Sequence, residues 1–278
     1  MRKSVECNPF ELVVALLATE QCKIHPQLVT EQPPWLICQN FQEYKENLSE
    51  VPRNKVDSYM SRFLSQRPIE WTTFTKVHLT GKTNFDHPIL KGVDRKTNKS
   101  DVYLQNSEVD LMGISVKQSK DATKTNYSVE KMLNELGGNG KRCNLLRKTF
   151  LKEHGFPKHD KTKRDLVNKL FYDRFNPYYE MLREEIYAKN TEIKKKIVNY
   201  LYCCETPIPV WEFNGETLKL ICIPPTTIIT FEEHVPYYTG TCAKMFYKLT
   251  VGEEEYRVEL RSKGNWHTAS VQFQVHAI

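Results

Sequence analysis

Asp101 and Lys117 are the residues whose types and spacing suggest chemistry. Asp101 opens the stretch Val102-Tyr103-Leu104, and Lys117 closes Leu111-Met112-Gly113-Ile114-Ser115-Val116. Ser115 stands two places before the lysine, so in an extended chain the two share one face while Ile114 and Val116 point to the other. If the stretches pair as strands, Asp101 and Lys117 converge at one edge of a sheet. A carboxylate there can hold a hard divalent cation, and a second oxygen ligand completes the site. An ammonium orients the attacking water and offsets charge on a phosphorane-like transition state. Metal-assisted cleavage of a phosphodiester needs this set. Glu130 lies thirteen residues beyond the lysine, near the start of a predicted helix. The same residues also admit a structural account. Asp101 and Lys117 could form an ion pair at strand ends, and Glu130 could complement a helix dipole for a few tenths of a kcal/mol.

The elements that must position these groups are legible in outline. Residues 8–20, capped by Asn8, read as an amphipathic helix, and helical spacing recurs over 39–48 and 54–65. Residues 73–80 alternate as a strand does, followed by strands at Ser100–Leu104 and Leu111–Lys117. Ser128 caps a helix over 128–136, with Val129, Met132, Leu133 and Leu136 as its apolar stripe and Gly137-Gly138 as its end. From 144 to 204 the pattern is helical, with starts at Thr162, Pro177 and Thr191. Beyond 205 it turns to strands. Asn214-Gly215 predicts a hairpin between Val210–Phe213 and Thr217–Cys222, and further strands fit 227–231, 242–250, 255–261 and 269–275.

Charge is unevenly placed. Residues 139–170 hold ten Lys/Arg against Glu153, Asp160 and Asp165, a local balance of 10 − 3 = +7, whereas the whole chain of 278 residues carries +6. Such a segment suits a phosphate backbone, because each neutralised phosphate releases counterions. Lys141, Arg142, Arg147 and Lys148 are its first contacts. Near the C-terminus, Tyr256, Val258 and Leu260 share one strand face, and Arg257, Glu259 and Arg261 share the other. A loop with Lys263, Gly264, Asn265, Trp266 and His267 follows. Arg261, Lys263 and Asn265 are side chains of the kind that read base edges or phosphates.

These stretches carry a resemblance. Ser100-Asp101 with Ser115-Val116-Lys117 resembles the PD-(D/E)xK nuclease motif, with Ser in place of Pro and a second Ser, Ser115, in place of the second acid. Some restriction endonucleases with a Ser-x-Lys motif recover the carboxylate from a glutamate thirteen or fourteen residues later, the offset of Glu130; Glu70 and Glu50 upstream are the other candidates for this second acid. With the Gly-Asn-Trp ending on a basic loop, the chain is similar to short-site type II restriction endonucleases of large viruses infecting Chlorella algae. The resemblance covers roughly 99–131 and 256–275. It implies Mg²⁺ bound by Asp101, Glu130 and the Val116 carbonyl, water positioned by Lys117, and a water or metal-bound oxygen held by Ser115. It also implies cleavage of double-stranded DNA to 5′-phosphates, with a homodimer expected from two-fold symmetric sites.

Composition bounds the alternatives. Hydrophobic residues make up 40% of the chain, which excludes wholesale disorder. The longest apolar run, Leu12 to Ala18, is far short of a membrane span. Eight scattered cysteines without a C-x-x-C pattern suggest reduced thiols, so a soluble intracellular protein without a membrane partner is expected. Two further metal readings rank lower: His154 and His159 beside Asp160, and Cys203, Cys204 and Cys222 with His234, whose spacing fits no usual zinc site. The expected fold is α/β, a central mixed sheet flanked by helices in the manner of restriction endonucleases, with a β-rich C-terminal part. Residues 1–204 would form the nuclease part and 205–278 the recognition part, or the two would form one continuous domain. The competing functions are a DNA-binding protein without chemistry, and an RNA-binding or RNA-processing protein stacking bases on Tyr172, Tyr178 and Tyr179.

Overall fold

The structure, a computed structural model, describes residues 9–20, 27–30, 43, 46, 50–79, 98–106, 110–117, 122–153, 176–206, 208–221, 229–234, 244–261 and 271–278. By its own contacts the chain forms two compact units, one from residues 1–122 with 202–224 and one from 123–201 with 225–278. The compositional shift near 205 therefore falls close to a point where the chain re-enters the first unit. It does not separate two consecutive domains. Both units mix helix and strand, so the α/β class holds in its coarse form.

The first unit is built on a six-stranded mixed sheet, ordered β1 (Gln27–Thr30), β2 (Lys76–Leu79), β3 (Val102–Gln105), β4 (Leu111–Val116), β6 (Val210–Phe213) and β7 (Leu218–Leu220). Strands β2, β3 and β4 run as an antiparallel meander, while β1 joins β2 and β6 joins β4 in parallel. Alternation divides the residues of this sheet between two faces. Val77, Leu79, Val102, Leu104, Ile114, Val116 and Phe213 belong to the main apolar core, shared with α1 (Pro9–Glu20) and α2 (Glu50–Gln66). Seven successive residues of α1, Leu12 to Ala18, are buried. This helix is apolar all round, where an amphipathic one was expected, because it lies against both the sheet and α2.

Aromatic edges lock α2 to the sheet. Phe63 meets Phe213 at 5.2 Å and 83°, and Trp71, in the 3₁₀ turn Ile69–Thr73, meets Trp211 at 5.1 Å and 85°. Each such pair adds roughly 0.5–1.5 kcal/mol beyond its burial. The Asn214-Gly215 hairpin forms as expected. The Asn214 side chain accepts from the amides of Glu216 and Thr217, and Gly215 takes φ +84° beneath the Tyr59 ring.

The second unit carries a five-stranded antiparallel sheet, ordered β5 (Thr125–Ser128), β11 (Gln272–Ala277), β10 (Glu254–Arg261), β9 (Lys244–Val251) and β8 (Ile229–His234). Its helices are α3 (Val129–Glu135), α4 (Gly140–Glu153), α5 (Asn176–Ala188) and α6 (Asn190–Leu201). Ser128 caps α3 by accepting from the Lys131 amide at 3.2 Å, and Gly137 follows it at φ +72°. At β11 and the residue before it, Val271, Phe273 and Val275 are buried while the residues between them are not, as the alternation predicts. Glu259 departs from the expected exposed face of β10. It is buried, and its carboxylate is paired with Arg257 at 3.2 Å. The helix starting at Thr162 and most of 39–48 lie outside the described residues. Among the described residues no helix is long and apolar enough to cross a membrane.

Gly113 offers a direct test of the β3–β4 packing. A Cβ there would sit 1.9 Å from Ser100 Oγ and 2.7 Å from Ser100 Cβ. Gly113→Ala is expected to lower unfolding stability by roughly 1–3 kcal/mol. Adding Ser100→Gly should recover much of the loss in chemical denaturation, and no recovery would mean the two residues do not share this space.

Candidate functional site

Asp101 and Lys117 stand at the same end of the β3–β4 pair. Val102 lies opposite Ile114, which leaves Asp101 just before one strand and Lys117 just after the other. The Asp101 amide donates to the Ile114 carbonyl at 2.9 Å, and its Oδ2 accepts from the Val116 amide at 2.8 Å. The carboxylate thus sits on the peptide linking Ser115 to Val116, one residue from the lysine. On its other side Lys117 is fixed by its own amide, which donates to the Phe213 carbonyl of β6 at 2.7 Å.

The second face of this sheet is polar where β4 meets β6. Ser115 and Glu212 are register partners in the parallel pair, so both project from the same side as Gly113 and Val210. Both are buried, Ser115 to 1% and Glu212 to 7% exposure. Ser115 Oγ has no hydrogen-bond partner, and neither has Ser100 Oγ, which fills the space above Gly113. By alternation Lys117 continues on this face.

Two more groups join the cluster through Asn98. Its Nδ2 donates to Thr206 Oγ1 at 2.9 Å, while its Oδ1 accepts from the Ser100 amide at 2.9 Å and the Tyr103 hydroxyl at 3.1 Å. That ties residues 98–100 to the turn after α6, where Cys203 is held at φ +52° and fully buried. Burial pushes the Lys99 ammonium down to about 7; the Cys203 thiol and Glu212 pull it up, and Lys117 pushes it further down. Burial also raises the Cys203 thiol, against Lys99 and Lys117. Lys99, Lys117, Glu212 and Cys203 therefore share one electrostatic neighbourhood. A lone acid between Trp211 and Phe213, both facing the apolar core, was the sequence signal for Glu212.

Glu130 and Arg147 serve a different purpose from the expected one. Both are buried, at 5% and 4% exposure. Arg147 Nε donates to Glu130 Oε1 at 2.8 Å and Nη2 to Oε2 at 3.2 Å, while the Tyr178 hydroxyl donates to Oε1 at 2.8 Å. Burial works against the Arg147 charge, yet Glu130 holds its pKa above the ordinary value. Burial and then Glu130 raise the Tyr178 phenol well above its own. Both carboxylate oxygens of Glu130 are engaged by fixed donors of the second unit, so it is a structural acid. Arg147 likewise presents no guanidinium to solvent.

Other expected residues divide by exposure. Lys141, Arg142 and Lys148 are exposed on α4. Tyr178 and Tyr179 are buried, which removes them as a stacking surface, and Tyr172 lies outside the described residues. Arg261 is partly buried, with Nη1 3.4 Å from Gln274 Oε1. Lys263, Asn265, His154, His159 and Cys222 lie outside the described residues, as does the Glu50 side chain. Glu70 is exposed in the 3₁₀ turn that leads into β2 at its Gln105 end, whereas Asp101 precedes the other end of β3. Among the described residues no group of three or more His, Cys, Asp or Glu is placed to hold a metal. Comparisons with known proteins give no match to any family model, curated protein or solved structure.

Arg147→Ala is expected to lower the stability of the second unit by about 3–5 kcal/mol, because it leaves a buried carboxylate uncompensated. Lys148→Ala, one residue along the same helix and exposed, should stay within roughly 0.5 kcal/mol. Equal effects of the two in denaturant unfolding would overturn the structural role of the pair.

Proposed function

We propose that the chain is a Mg²⁺-dependent endonuclease of the type II restriction class, acting on double-stranded DNA at a short specific sequence. The observation that carries this reading is the seating of Asp101 on the Val116 amide, beside Lys117 and on the strand that bears Ser115. Magnesium commonly keeps several waters and takes only one or two carboxylates from a protein, so the small acid count at this edge fits its habits. Asp101 and the Val116 carbonyl would hold it, and the unpartnered Ser115 hydroxyl is suited to a coordinated water. When bound, the ion supplies Lewis-acid polarisation of the phosphate.

The chain's own groups do the rest. Lys117 orients the hydrolytic water and balances the charge that builds on the phosphate oxygens. Water oxygen bonds to phosphorus, the bond to the 3′ oxygen breaks, and that oxygen takes up a proton. The products are a 5′-phosphate and a 3′-hydroxyl. Exposed Lys141, Arg142 and Lys148 contribute salt-sensitive attraction to the backbone. Arg261, Lys263 and Asn265 provide base-edge contacts, and two copies of the chain act on a two-fold symmetric site. The similarity in motif to the restriction endonucleases of large Chlorella viruses supports this class of substrate.

Lys117→Ala is expected to reduce nicking of supercoiled plasmid in Mg²⁺ by about 10²–10⁴-fold. Its duplex binding in Ca²⁺ should remain close to that of the parent protein. Intact plasmid with the parent protein under every divalent cation, alongside tight duplex binding, would identify a DNA-binding protein without chemistry.

A further inference from the structure

We propose that Glu212 supplies the second carboxylate of the site, contributed across the sheet from β6 to the position that Ser115 leaves without one. This rests on the nuclease reading above and specifies its donor set. Register partners on adjacent strands lie roughly 5 Å apart and share a face, so a carboxylate at Glu212 is the nearest lateral substitute for one at Ser115.

The surroundings of Glu212 fit a ligand site better than a core. An acid at 7% exposure requires compensation, and Glu212 lies in an electrostatic neighbourhood that includes two lysines, Lys99 and Lys117. Beside it Ser115 Oγ is 1% exposed and unpartnered. A buried hydroxyl without a partner is unfavourable, and a water or oxyanion arriving beside it would relieve that cost. Glu130, by contrast, is gripped by the fork of Arg147. Glu130 is saturated by Arg147 and Tyr178, and Glu70 lies at the far end of the β2–β3 pair, so neither competes for this place.

The test uses the full-length protein and Mn²⁺ alone as the probe, with binding read by calorimetry and by the electron paramagnetic resonance of the ion. Glu212→Gln is expected to weaken Mn²⁺ binding by at least about tenfold. The relocated carboxylate of Ser115→Glu/Glu212→Gln should restore binding and, with it, plasmid nicking in Mn²⁺. Thermal melts establish folding, and if Glu212→Gln fails to fold, Glu212→Asp and the relocation variant carry the comparison. Parent-like Mn²⁺ affinity in Glu212→Gln, while Lys117→Ala still abolishes nicking, would overturn this assignment and leave the nuclease reading standing. A parent protein that neither binds Mn²⁺ nor cuts DNA would overturn both.

Discussion

The register of β4 against its two neighbours is the constraint on which the first unit depends. Pairing with β3 on one side and β6 on the other sends Ile114 and Val116 into the apolar core and leaves Gly113 and Ser115 on the opposite face. A slip of one residue would exchange the faces, burying Ser115 among Phe63, Phe213 and α1. The apolar face enforces the register through many contacts, each small, and the polar face inherits its geometry without having to stabilise it. That division lets the sheet tolerate two unpartnered hydroxyls and a buried acid at one place.

Ladder geometry also explains why Asp101 is held so firmly. It precedes β3, where regular pairing stops, and its side chain takes over by accepting from the Val116 amide. A carboxylate receiving a backbone amide is oriented as well as satisfied at that oxygen. Lys117 is fixed at the corresponding point on the β6 side through its backbone amide. One end of β4 thus carries a carboxylate of fixed direction and a lysine anchored through its backbone.

Much of this frame was legible in the sequence because it follows from short-range patterns. The short apolar runs Val102–Leu104 and Leu111–Val116 specify strands, Asn214-Gly215 a turn, and Ser128 with Gly137 the two ends of α3. Contributions that depend on long-range pairing were less visible. Glu212 offers only the signal of a lone acid between two aromatic residues until β6 is laid beside β4, a connection spanning more than ninety residues of chain. Arg147 reads as one more charge in a basic block until helix packing turns it inward to Glu130, and α1 looks amphipathic until it is seen to be covered from more than one side. Spacing along the chain placed Glu130 at a suitable offset. It could not show that two fixed donors would already occupy the carboxylate.

Two glutamates buried to nearly the same degree, Glu130 at 5% and Glu212 at 7% exposure, therefore carry different meanings. What separates them is the kind of compensation each receives. A guanidinium fork and a phenol give Glu130 directional donors fixed by packing, an arrangement that stabilises one geometry and resists any newcomer. Glu212 stands in the electrostatic neighbourhood of Lys99 and Lys117, next to a hydroxyl whose own hydrogen-bonding capacity is unmet. The orphaned hydroxyl beside Glu212 would gain a partner if an ion or oxyanion arrived, whereas both carboxylate oxygens of Glu130 already have their donors. Burial alone marks an acid as costly, and the groups beside it indicate whether the cost serves architecture or chemistry.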